Sequence, residues 1–246
     1  MVFADTLIEH PDLYRFVEEL SEALQTPYVH LIDGRDPWEV FVDRGFFGNS
    51  RTAHCSKDLK TAKVAEWMEA KVFHFDPLVL GMYKDEEDRL DRARANWSPQ
   101  QVTSLLIEQK VTPGEADKLV RKYVPQRPAL YDMGFVHNNC GGMCVRAGQG
   151  QFAHLLKTRP EFYWQQAERN EWARGEIEKR VDDRISRGVY KGDADEVPSG
   201  GFIRVQKDYE IEYLHMKEFA ERVLSGELDP PSYEVGGCGC FVDDEL

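Results

Sequence analysis

The sequence predicts an α/β protein in which a parallel sheet with flanking helices is followed by a helical, cysteine-bearing C-terminal part. Three observations lead there. Two short apolar runs, MVFAD at residues 1–5 and YVHLI at 28–32, bracket a stretch with helical spacing, and a strand, helix, strand order is the signature of parallel pairing. Of the 246 residues 41% are hydrophobic, which suffices for a real core. Finally, four of the five cysteines form two tight pairs, Cys140 with Cys144 and Cys238 with Cys240, set in glycine-rich sequence.

Each element has its own local signal. Residues 10–24 (HPDLYRFVEELSEAL) place Pro11 at a first turn and Leu13, Phe16, Val17, Leu20 and Leu24 at amphipathic spacing. Residues 36–43 read as a short helix with Pro37 inside its start and Gly45 past its end. A helix opens near Ser56 and carries Lys57, Lys60 and Lys63, which read as a solvated face. FDPLVLGM (75–82) is a third strand, and Gly81 near its end lets a ligand approach the backbone. The acid- and arginine-rich run after it is partly helical. Ser98 and Pro99 look like the cap and first position of a helix to about Lys110, and another short helix fits 113–123. Beyond the first cysteine pair, 149–172 is strongly helical, and its aromatics read as core because no dense basic residues interleave with them. A polar, glycine-rich loop (188–201), a small hairpin (202–205 with 210–214) and a last helix (216–224) lead to the tail cysteines. The boundary between a nucleotide-sized core and the cysteine-bearing region is expected near 133, giving 1–133 and 134–246.

Composition narrows the function classes. A net charge of −13 disfavours non-specific binding to nucleic acid or anionic membrane, both polyanions. No apolar run approaches the roughly eighteen residues of a membrane span, and the start has no basic-then-apolar leader, so a cytoplasmic protein is expected. In a reducing compartment, paired cysteines point to metal ligation or redox chemistry more than to structural disulfides. Cys140, Cys144, Cys238 and Cys240 together would make an all-sulfur site for tetrahedral zinc or a four-iron, four-sulfur cluster; redox use and plain burial are the alternatives. His30, His74, His137, His154 and His215 show no ligand spacing among themselves, and only His137, three residues before Cys140, is placed to replace a thiolate.

Several of these segments, in order, resemble the phosphoadenosine phosphosulfate reductase-like branch of the adenine-nucleotide alpha-hydrolase fold, a group that includes ATP pyrophosphatases and the DNA phosphorothioation sulfurtransferase. VFADTLIEHPDLYRF is similar to the family's second strand, Asp-Thr turn and Pro-opened helix; Cys55 and Lys60 in HCSKDLK match its Cys-x4-Lys segment. LVLGMYKDEEDR, with Gly81, Glu86 and Arg89, resembles its strand ending in Gly, and Pro128, Leu130, Tyr131, Gly134 and Cys140 match the segment before its cysteine centre. The likeness spans about residues 2–145, and the cysteine-rich tail looks like that of phage and bacterial members. Two departures stand out. The family's Ser-Gly-Gly-Lys-Asp-Ser phosphate loop is not in the sequence, PSGGF at 198–202 being only a partial echo, and His54-Cys55 replaces adjacent cysteines.

The resemblance implies sulfur transfer on an adenine nucleotide, either phosphoadenosine phosphosulfate or ATP with magnesium. It assigns Lys60 and Arg89, with Arg51 as a weaker candidate, to phosphate or sulfate oxygens, Gly81 to close backbone approach, and Cys55 to a sulfur-accepting or redox role, with a buried structural thiol as its alternative. Asp5, at the end of a parallel strand, is placed for a ribose or a magnesium-bound water, or else serves as a turn carboxylate. For the missing phosphate loop it leaves three alternatives, that a companion chain supplies it, that the start is internal, or that the activity is gone; it further implies that nucleic acid is one candidate sulfur acceptor and that the late cysteines carry a cluster in preference to zinc. The alternative is a non-catalytic, metal-clasped binding module derived from the same fold.

Overall fold

The computed structural model describes residues 1–49, 51–70, 76–187, 200–207 and 210–232. It is a mixed helix and strand structure with small sheets. The opening unit is as expected: β1 (Val2–Asp5), α1 (Pro11–Ala23) and β2 (Val29–Ile32), with β1 and β2 parallel and Val2 opposite Val29. Pro11 sits in the first turn of α1, and the His10 ring accepts from the Asp12 amide at 3.1 Å, which serves as the cap. α2 (Pro37–Arg44) has a full capping box between Asp36 and Glu39 and ends at Gly45, whose φ of 79° is the left-handed stop that glycine adopts at little cost.

The next helix is interrupted. α3 (His54–Ser56) runs through a π-helical turn, Lys57–Thr61, into α4 (Ala62–Ala70). A π turn adds a residue to the helical repeat, so spacing no longer reports which face the later residues take. Lys60 consequently is buried, at 8% exposure, where a solvated lysine face was expected, while Lys63 stays outside between Asp33 and Glu66.

Within 76–82 only β3 (Leu78–Val79) pairs as strand; residues 71–75 lie outside the described set. A 3-10 turn (Lys84–Glu86) and α5 (Glu87–Asn96) come after it. The expected helix from Ser98 to Lys110 is absent. That stretch holds a turn, then β4 (Val102–Thr103), then the short α6 (Leu105–Glu108). Tertiary pairing overrides the local cap signal here: the Leu78 and Leu80 amides donate to the Gln101 and Thr103 carbonyls at 2.8 and 2.9 Å, and Val102 is buried in a cluster with Leu90 and Trp97. Among the described residues the sheet is thus two separate parallel pairs, β1 with β2 and β3 with β4, where one continuous sheet was expected.

α7 (Pro113–Val120) opens on a Thr112–Glu115 capping box, and α8 (Ala129–Asp132) precedes the cysteine loop. α9 (Gln149–Thr158) and the long α10 (Pro160–Ser186) split the predicted helical region at Arg159. β5 (Ile203–Lys207) and β6 (Glu210–Leu214) form the expected antiparallel hairpin, and α11 (Met216–Leu224) comes last.

Two apolar clusters hold these parts together. The larger joins Trp38 and Phe41 of α2 to Phe152, Leu155, Tyr163, Phe202 and Phe219, with Trp38 and Phe202 edge-on at 5.7 Å. Its polar atoms are matched: the Trp38 indole donates to Gln166 Oε1 at 2.8 Å and the Tyr163 hydroxyl to the Met216 carbonyl at 2.7 Å, as burial of such groups demands. The smaller cluster gathers Val64, Leu80, Met82, Leu90, Trp97 and Val102, and Ala4 and Leu31 pack against it, so both strand pairs share one apolar layer.

Candidate functional site

The turn after β1 and the cysteine loop meet at Glu9. The Glu9 carboxylate is buried and uses both oxygens: Oε1 accepts from the Thr6 hydroxyl at 2.9 Å, and Oε2 accepts from the Cys140 amide at 2.7 Å. The Lys60 ammonium sits 3.6 Å from Oε1. The turn after β1, the π turn and the cysteine loop are thereby tied through one carboxylate, across 131 positions between Glu9 and Cys140.

The cysteine loop has its own backbone demands. Cys140, Gly141 and Gly142 all have positive φ, at 51°, 62° and 96°. A Cβ on Gly141 would lie 2.6 Å from the Ile8 carbonyl oxygen, and one on Gly142 2.7 Å from the Phe135 ring, so both glycines are required by contact as well as conformation. Cys140 and Cys144 are buried free thiols in hydrogen-bond contact, and the Thr6 hydroxyl lies 3.9 Å from Cys140 Sγ. That contact with Cys144, then burial, then the Glu9 charge push the Cys140 thiol well above its ordinary value, with Lys60 opposing. Without a metal, Cys140 is therefore a neutral thiol near pH 7.

Beside this cluster a cavity of about 670 Å³ lies between β1 and β3. Its lining includes Lys60, Gly81, Arg89 and Asn139 together with Val64, Trp67, Met68 and Leu80. Three residues singled out from sequence thus share one cavity of a size suited to a small ligand. A Cβ at Gly81 would meet nothing within 4 Å, so the backbone there faces open space. Arg89 pairs with Glu86 through Nη1, while its buried Nε has no hydrogen-bond partner.

The other predicted residues are placed differently. Asp5 is buried and engaged by its own chain: Oδ1 accepts from the Leu7 amide at 2.7 Å and the Tyr14 hydroxyl at 3.0 Å, and Oδ2 pairs with His30 Nε2 at 2.9 Å. It is a turn carboxylate and does not line the cavity. Arg51 is exposed in a turn held by Asn49 and is likewise apart from it. Cys55 is a buried thiol on α3, packed into the larger apolar cluster. Cys238 and Cys240 lie outside the described residues, as does His74. Among the described residues Cys140 and Cys144 supply two sulfurs, and no group of three or more His, Cys, Asp or Glu is arranged to hold a metal. A four-sulfur centre therefore needs the tail pair.

Glu9 was not singled out from the sequence. Its only signal there is position, four residues past the strand-ending Asp5 and just ahead of a Pro-opened helix. No helix among the described residues is long and apolar enough to cross a membrane. No family model matches this chain, and no curated protein or solved structure is significantly similar to it.

Proposed function

We propose that the cavity between β1 and β3 binds an adenine nucleotide, phosphoadenosine phosphosulfate or ATP with magnesium, and that the chain serves sulfur transfer as a sulfonucleotide reductase-like or ATP-dependent sulfurtransferase-like protein. The observation carrying this reading is that Lys60, Gly81 and Arg89 line one cavity whose remaining wall is largely apolar. In this reading Trp67, Met68 and Leu80 receive the base, and Lys60 and Arg89 face the phosphate or sulfate oxygens. There the two cations offset negative charge that grows as the bond to the leaving group breaks. Arg89 Nε, buried without a partner, is a donor in want of an acceptor, which an anion supplies.

Glu9 fixes Lys60 and, through the Cys140 amide, sets the cysteine loop beside the reacting group. Cys140 and Cys144, with Cys238 and Cys240, are the residues that would hold an iron-sulfur cluster or zinc, the first supplying electrons or sulfur and the second a clasp. Cys55 is the thiol assigned to accept sulfur. A companion chain supplies the phosphate loop, and nucleic acid is among the candidate final acceptors.

The second reading, a non-catalytic binding module, is favoured by one observation: Asp5 is buried, holds Leu7, Tyr14 and His30 with its two oxygens, and does not line the cavity where a ribose or magnesium would sit. Titration of the purified chain with ATP, ADP and phosphoadenosine phosphosulfate, monitored by calorimetry and by the part of the tryptophan fluorescence that is lost in Trp67→Phe, separates the two. Saturable binding that weakens about tenfold or more in Lys60→Ala and Arg89→Ala, as expected for losing one charged hydrogen bond, supports the nucleotide reading. No heat and no fluorescence change at millimolar nucleotide overturns it.

A further inference from the structure

The two parallel strand pairs leave two edges facing one space. In a parallel strand successive residues turn their backbone groups to alternate edges. The Met1 carbonyl accepts from the Val29 amide at 2.9 Å, so Met1, Phe3 and Asp5 serve the ladder with β2, and Val2 and Ala4 turn their N–H and C=O the other way. On β3 the amides of Leu78 and Leu80 donate to β4, so Val79 turns its groups away from β4. Val2, Ala4 and Val79 all line the same cavity, and among the described residues no strand pairs with either edge.

Free edges of this kind are normally covered, blunted or charged, and two-stranded sheets are marginal by themselves. Here both edges carry apolar residues, with Val2 at 39% and Val79 at 51% exposure. The two pairs already share an apolar layer, since Ala4 and Leu31 of the first pack on the cluster that holds Leu80 and Val102 of the second. Among the described residues, what separates them is a slot.

We infer that this slot is a docking site for one extended, apolar strand supplied by a companion polypeptide, which pairs with β1 on one side and β3 on the other and joins the two pairs into a single five-stranded sheet. The walls dictate the occupant. Outward N–H and C=O groups of Val2 and Ala4 on one edge and of Val79 on the facing one are matched on both sides by another backbone in extended conformation, and the apolar floor asks for Val- or Ile-rich side chains on the inward face. The chain's net charge of −13 favours a strand with basic flanks. This deepens the companion-chain part of the reading above and rests on the strand edges: the strand takes the side of the cavity at Val2, Ala4 and Val79 and leaves the side at Lys60, Gly81 and Arg89 to the nucleotide, so a chain that binds nucleotide and no strand sinks this inference only, and one that binds a strand and no nucleotide sinks only the other.

The test is backbone amide exchange on the full chain, alone and with synthetic ten-residue peptides that carry an alternating Val/Ile and Thr core between terminal lysines. A peptide of residues 1–6 of this chain and a proline-interrupted control complete the panel. In the free chain the Val2, Ala4 and Val79 amides exchange fast while those of Leu78 and Leu80 are protected; the Val/Ile peptides slow the first three about tenfold or more. Val79→Pro, which removes an amide the β3–β4 ladder does not use, abolishes the slowing and leaves Leu78 and Leu80 protected. The inference is overturned if the open-edge amides are already protected in the free monomer, or if no peptide slows them. It is equally overturned if protection rises with the chain's own concentration alongside a dimer in light scattering, since the occupant is then a second copy.

Discussion

Removing the Glu9 carboxylate is the most informative single change. In Glu9→Ala the buried Lys60 ammonium loses the anion 3.6 Å away, and the Thr6 hydroxyl and Cys140 amide lose their acceptor. Breaking a buried pair from one side costs about 3–5 kcal/mol because it strands the other charge. At 3.6 Å the contact is looser than an ideal charged hydrogen bond, which argues for the lower end, about 3 kcal/mol. With a urea slope near the top of the usual range, about 3 kcal/mol per molar, the unfolding midpoint falls by about 1 M. Lys60→Met keeps the bulk and leaves Glu9 its two hydrogen bonds, so its loss is smaller, about 1 kcal/mol. The double variant then costs clearly less than the sum of the two, because each single change strands a partner that the double change removes. Urea melts monitored by circular dichroism on the four proteins check this. A Glu9→Ala shift below about 0.3 M, or a larger loss in Lys60→Met than in Glu9→Ala, refutes the claim that Glu9 is the hub of the cluster.

Other perturbations read separate features. Gly141→Ala puts a Cβ against the Ile8 carbonyl at a backbone position with φ of 62°, and it lowers the melting temperature more than Gly134→Ala, where the added methyl meets only the His154 ring at 3.4 Å; thermal melts rank the two. Thr112→Ala removes the cap that accepts from the Glu115 amide and costs about 1 kcal/mol, read from the urea midpoint. Burial, then the hydrogen bond to Asp5, holds the Tyr14 hydroxyl well above its ordinary value. A group whose folded value is raised contributes fully below its unfolded value, about 10, and the contribution is lost as pH rises beyond it. Stability should therefore fall above about pH 10, and the fall should be shallower in Tyr14→Phe when urea midpoints are compared across that range.

How far the sequence discloses the molecule differs by region. The β1–α1–β2 unit, α2 and the closing hairpin were legible because each carries its own punctuation: Pro11 in the first turn of α1, Asp36 with Glu39 around Pro37, Gly45 in the left-handed region, and alternating apolar residues in β5. β4 was not. Ser98 and Pro99 imitate a helix start, and only the amides of Leu78 and Leu80, some two dozen residues away in the chain, make 102–103 a strand. The burial of Lys60 was hidden for another reason, the extra residue in the π turn, which shifts the face that periodicity would assign. Of the candidate site, Lys60, Gly81 and Arg89 converge on one cavity, whereas Asp5 and Arg51 have other neighbours. Glu9 went unseen because its importance lies in partners at positions 60 and 140, which spacing along the chain does not bring to notice.

The span of the larger apolar cluster bears on how the molecule is made. Trp38, at 0% exposure, packs edge-on against Phe202, and its indole proton waits for Gln166 of α10, 128 positions downstream. During synthesis that indole stays wet until most of the polypeptide has left the ribosome, a delay of roughly ten seconds or more at ordinary elongation rates. The nascent N-terminal third is thus the stretch that holdase chaperones should engage, and slowing translation should prolong that engagement in proportion.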